Sequence, residues 1–93
     1  MVIINAREAV TEFGGQLVGQ LVLTAKWGDW PGGVARVLEL NPDPEAPDIV
    51  MTVKAERRTQ FDSRTNIGEE MGIFETEEIG VNLSGEPDLV AQL

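Results

Sequence analysis

The sequence contains no cysteine, no histidine and no tyrosine. Without cysteine there is neither a disulfide staple nor a thiolate nucleophile, and nothing points to an oxidising compartment. Without histidine the commonest general base and the commonest zinc ligand are both missing. Aromatic residues are scarce, two tryptophans and three phenylalanines in 93 residues. Basic residues are scarce as well: seven Lys and Arg stand against sixteen Asp and Glu, a net charge of −9. No basic residue follows Arg64, whereas seven acidic ones do. Such a surface repels phosphate backbones and anionic membranes, with Arg57, Arg58 and Arg64 as the one local exception, so neither nucleic acid nor membrane is expected as a partner. Long apolar runs are absent too. Met1-Val2-Ile3-Ile4 stops at Asn5, too short for a signal core or a membrane span, and a cytoplasmic protein of bacterial type is expected.

What remains fits one domain, residues 1–93, with a core over 17–83. Its organising stretch is Trp27-Gly28-Asp29-Trp30-Pro31-Gly32-Gly33, where both tryptophans meet three glycines and a proline. Pro31 fixes its own φ and holds Trp30 extended, and the glycines supply the positive φ that a tight reversal needs. Before it, residues 17–25 alternate, with Leu17, Leu21, Leu23 and Ala25 on one side and Val18, Gln20, Val22 and Thr24 on the other, which predicts a strand. If Trp27 continues the Leu21–Leu23–Ala25 side it lies on the core face, leaving Trp30 the more exposed indole.

Residues 34–40 and 49–55 predict an antiparallel hairpin across the proline-stiffened loop 41–48. Residues 56–70 have no apolar period around Phe61 and predict a long functional loop. Residues 71–74 and 79–83 predict two more strands, and 89–93 a helical turn or packed tail. At the N-terminus, Asn5 and Glu8 have capping-box spacing, so a short helix ended by Gly14-Gly15 competes with a first strand through Ile4.

Gly72-Ile73-Phe74-Glu75-Thr76-Glu77-Glu78-Ile79 resembles the SH3 signature of a glycine, two apolar residues, a 3₁₀ turn and a final strand. Val22 to Val37 is similar, more loosely, to the KOW type of the same barrel. The resemblance implies a mainly β fold, a five-stranded SH3-like, partly open barrel with a short N-terminal strand or helix. The Ala-Leu-Tyr-Asp-Tyr segment of true SH3 domains is absent, so their proline-rich peptide binding does not carry over.

Carboxylates, two serines and two lysines offer little for catalysis, since Glu69-Glu70 and Glu77-Glu78 are sequence neighbours that point apart on a strand. No enzyme, no cofactor and no metal site are expected. Asp43, Glu45 and Asp48 lack the pattern of a calcium loop. The expected function is a small acidic, non-enzymatic protein-interaction or assembly module, self-associating or binding another protein through Trp27, Asp29, Trp30, Arg57, Arg58 and Phe61. The alternatives are a small-ligand or enzyme accessory domain with a cleft beside the tryptophans, and an acidic nucleic-acid mimic that occupies a basic partner.

Overall fold

The computed structural model describes residues 1–25, 32–57, 67–83 and 85–93, with the side chain of Arg57 left out. The chain opens with β1 (Val2–Asn5) and turns directly into α1 (Ala6–Phe13), which a 3₁₀ turn (Gly14–Leu17) extends. Strands β2 (Leu21–Thr24), β3 (Gly33–Leu40), β4 (Ile49–Arg57), β5 (Glu70–Phe74) and β6 (Glu78–Val81) follow. All six strands belong to one sheet in the order β1-β6-β2-β3-β4-β5, and every pairing is antiparallel.

The mainly β expectation holds, and two of its details are corrected. Among the described residues the strands number six, because the N-terminus forms both a strand and a helix. The sheet is not closed into a barrel, since β1 and β5 are edges with no pairing between them among the described residues. It nevertheless curls. Strands β5 and β6 are four places apart in the sheet, about 19 Å if flat. The turn joining them is tight, with the Glu77 N–H donating to the Phe74 carbonyl at 3.1 Å, which holds its ends within about 7 Å. Only a strongly curved sheet brings both strands to that turn.

Helix α1 fills the concave side. Asn5 caps it, its Oδ1 accepting the Arg7 N–H at 2.9 Å, and Gly14, at φ 54°, ends it. Ala6 and Ala9 are fully buried, and their small side chains let the helix approach the sheet. Its neighbours are β1, β4, β5 and β6, the strands on either side of the opening, so the helix occupies the gap that a closed barrel would seal. The core beneath it comprises Leu17, Val22, Ala35, Val37, Val50, Met51, Val53, Ala55, Ile73, Ile79 and Val81. Arg7 clips the assembly: its guanidinium donates to the Pro47 carbonyl at 2.7 Å and to Glu75 Oε2 at 2.9 Å, and its backbone N–H donates to the Glu75 carbonyl at 3.1 Å.

The 34–40/49–55 hairpin forms as expected, with bulges between Val34 and Ala35 and between Val37 and Glu39. Strand β4 runs two residues further, so Glu56 and Arg57 are strand and not loop. Strand β2 is shorter than predicted, because Leu17 belongs to the 3₁₀ turn and Gly19 and Gln20 only prolong the ladder through bonds with Val37. The expected orientation of β2 is reversed. Val22 and Thr24 face the core, while Leu21 and Leu23 are half-buried on the convex face and Ala25 is exposed. With apolar residues on both sides, the alternation alone could not say which side the helix covers. Strand β6 ends at Val81, leaving Leu83 exposed. The tail is packed: Val90 is fully buried.

Candidate functional site

The convex face carries a row of apolar groups fixed by strand register. Ile3 pairs with Gly80, Gly80 with Leu23, and Leu23 with Val34. Because side chains alternate faces along each strand, residues in one register row share a face. Gly80 is the floor of this row. A Cβ there would stand 2.9 Å from Met1 Sδ, 3.0 Å from Leu23 Cβ and 3.3 Å from Ile3 Cδ1, so the missing side chain is what lets these three converge. Val34 is fully buried and Leu23 half-buried, yet Ile3 is 56 % exposed and Met1 37 %. The row therefore runs from a covered end to an open one.

Beside it the same face is charged. The row Leu21, Arg36, Lys54, Glu70 crosses β2 to β5. Arg36 grips Glu56 with two bonds, Nε to Oε1 at 2.5 Å and a second nitrogen to Oε2 at 3.0 Å, and donates to the Gly19 carbonyl at 2.6 Å. The paired bonds hold the Glu56 carboxyl below its ordinary range and raise the Arg36 guanidinium. The Ile3–Gly80–Leu23–Val34 strip is thus bordered by a charged row on the same face.

The two sheet edges differ in chemistry. Strand β5 begins at Glu70, is preceded by Glu69, and pairs irregularly with β4 between Ile49 and Met51. Charges and irregular pairing of this kind blunt an edge. Strand β1, Val-Ile-Ile-Asn, has no charge and no proline. Its ladder also leaves groups outward. The Ala6 N–H donates to the Glu77 carbonyl at 2.8 Å, continuing the β1–β6 register. Hydrogen-bonded and non-hydrogen-bonded pairs alternate, so Val2, Ile4 and Ala6 bond β6, and Ile3 and Asn5 turn their backbone groups to the open edge.

A cleft of ≈ 240 Å³ lies elsewhere, between the 3₁₀ turn and the C-terminal tail, lined by Phe13, Gln16, Leu17, Gln20, Asn82 and Asp88 among others. Several of its polar groups are already engaged. Asn82 Oδ1 accepts the N–H groups of Leu89 and Val90 at 3.0 and 3.2 Å, and its amide donates to Asp88 Oδ1, which also accepts from Ala91. Glu86 Oε1 accepts from the Met1 amine and from the Leu83 N–H, which holds its carboxyl below the ordinary range. At the β5–β6 turn, burial pushes the Glu77 carboxyl up, against the bond it accepts from the Phe74 N–H at 2.7 Å.

Of the residues expected to form the site, Trp27, Asp29, Trp30, Arg58 and Phe61 lie outside the described residues, and Arg57 is placed by its backbone alone, opposite Val34. Among the described residues no group of three or more Asp, Glu, His or Cys could hold a metal ion. Asp43 instead accepts the Glu45 N–H at 2.9 Å within its own loop. No described helix is long and apolar enough to cross a membrane. Ile3, Gly80, Leu23 and Val34 escaped the sequence reading as a group because only the register unites them. The one signal was Gly80 between Ile79 and Val81, a strand glycine of the sort that marks close approach. Compared with protein-family models, with curated proteins and with solved structures, the chain gives no match.

Proposed function

We propose that this chain is a small acidic, non-enzymatic protein-interaction module that binds through the convex face at β1, β6 and β2. The observation that carries the reading is the Ile3–Gly80–Leu23–Val34 row, an apolar strip that ends at an uncharged edge strand with Ile3 more than half exposed. Apolar side chains converging at an accessible edge are what a protein partner desolvates. Trp27 and Trp30, which lie outside the described residues, are proposed as aromatic anchors of the interaction on their residue type alone. The small-ligand reading has weaker support: the cleft of ≈ 240 Å³ is below the ~300 Å³ at which ligand pockets begin, and the hollow of ≈ 300 Å³ at the β5–β6 turn, lined by Asp48, Phe74, Glu75, Thr76 and Glu77, only reaches it.

For the finer fold, SH3-like connectivity is supported by the meander β2-β3-β4-β5 and the return of β6 beside β2 through a tight turn. The test of function is affinity capture from the source cell with the wild-type chain and with Ile3→Lys. A partner held by the first and lost by the second, at unchanged melting temperature, supports the module. Equal capture by both refutes this surface.

A further inference from the structure

We infer that the open edge of β1 accepts a strand from a basic partner, so that the module binds by extending its sheet. The inference rests on the interaction reading above and adds the chemistry of the partner: an extended segment with apolar residues alternating with lysine or arginine. Three observations converge.

The first is hydrogen-bonding capacity. The N–H and C=O of Ile3 and the N–H of Asn5 point away from β6, and among the described residues no backbone bond outside the ladder engages Ile3. One residue presenting both groups is the unit that an incoming strand pairs with. The second is the side chain. Ile3 stands on the convex face, so a residue placed opposite it would extend the Gly80–Leu23–Val34 row by one strand and cover the exposed part of Ile3.

The third is charge. Strand β1 itself is neutral, but it is followed by Glu8 and Glu12 on α1, and it pairs with β6, whose start and turn carry Glu75, Glu77 and Glu78. The nearby cations are already engaged, Arg7 by Glu75 and the Met1 amine by Glu86. A second copy would bring another −9 to the same edge, whereas a basic strand meets Glu8, Glu12 and Glu78, none of which joins an ion pair among the described residues. The opposite edge, with Glu69 and Glu70 at its start and a register shift in its pairing, lacks this combination.

The test uses the full ¹⁵N-labelled chain and a capped seven-residue peptide alternating lysine with valine and isoleucine. Its controls are the same peptide with glutamate for lysine, and one N-methylated on alternate residues. The lysine peptide is expected to shift the Ile3 and Asn5 amides and slow Ile3 amide exchange, to bind at least tenfold more tightly than either control, and to weaken as salt is raised. Ile3→Pro removes an outward N–H and no ladder bond, so it should fold and lose at least tenfold in peptide affinity. If that variant does not fold, the N-methylated peptide carries the same comparison. Equal binding of all three peptides, shifts confined to the cleft, or sedimentation showing that the chain dimerises through β1 would each overturn the inference. A partner captured by wild type, lost by Ile3→Lys and kept by Ile3→Pro would overturn strand addition and leave the interaction module standing.

Discussion

Gly80 and Leu23 face each other across β6 and β2 so closely that a Cβ on the glycine would lie 3.0 Å from the Cβ of the leucine. Backbone-proximal atoms cannot swing aside as a long side chain can. Gly80→Ala should therefore destabilise the chain by ~1–3 kcal/mol despite the gain in strand propensity, because overpacking outweighs the lost flexibility. Denaturant melts measure it. The same variant should expose Met1 and Ile3 further, seen as faster exchange at the β1 amides.

Arg7 joins three separate elements through one guanidinium and its own backbone: α1, the β3–β4 loop at Pro47 and the β5–β6 turn at Glu75. An exposed ion pair alone contributes ~0.2–1 kcal/mol, and the bond to the Pro47 carbonyl adds about one more. Arg7→Ala should cost ~1–2 kcal/mol, and Arg7→Lys nearly as much, since both bonds leave one terminal nitrogen of a planar, preorganised guanidinium that an ammonium on a flexible stem does not reproduce. Equilibrium urea unfolding of both variants checks this, and a lysine variant as stable as wild type would reduce the clip to a simple charge.

Glu77 supplies the pH dependence. Its carboxyl is raised in the folded state by burial, so between its unfolded and folded pKa the folded chain binds the extra proton. Its contribution to stability then falls as pH rises through that window, from the ordinary carboxylate value upward. Glu77→Gln keeps an oxygen for the Phe74 N–H and removes the charge. It should be more stable than wild type at neutral pH, with the advantage disappearing as pH is lowered through the folded pKa. Melts of both proteins across the acidic range decide it; a constant difference would mean that the carboxylate is as well solvated folded as unfolded.

Much of this architecture was legible in the sequence, for local reasons. The β3–β4 hairpin is fenced by Gly32-Gly33 and by Asn41-Pro42, and the start of α1 is announced by Asn5, whose side chain does cap it. Strand β1 was ambiguous because four apolar residues before a cap suit a strand or a helix approach equally. For β2 the sequence reading puts the Leu21–Leu23–Ala25 side on the core, a choice that alternation alone cannot make when both sides of the strand carry apolar residues. Helix α1 decides otherwise, by covering the side where Val22 faces Ala35 and Ala55. The Ile3–Gly80–Leu23–Val34 row depends on long-range register, which no local pattern encodes.

The excess of acid should make salt stabilising. Three ion pairs join described residues, Met1–Glu86, Arg7–Glu75 and Arg36–Glu56, against a net charge of −9. Most carboxylates therefore repel one another across the surface, and added ions screen repulsion beyond about 8–10 Å. The melting temperature should rise between low salt and about 0.15 M NaCl. A fall would show that the paired charges dominate.

The central claim is that partners bind the convex face at β1, β6 and β2, and the direct measurement is hydrogen–deuterium exchange of the chain alone and bound to the partner it captures. Residues 1–5, 21–25 and 78–81 should gain protection in the complex, with Ile3 among the most affected. Protection of 13–20 and 82–88 instead, with 1–5 unchanged, would place binding in the cleft and contradict the account.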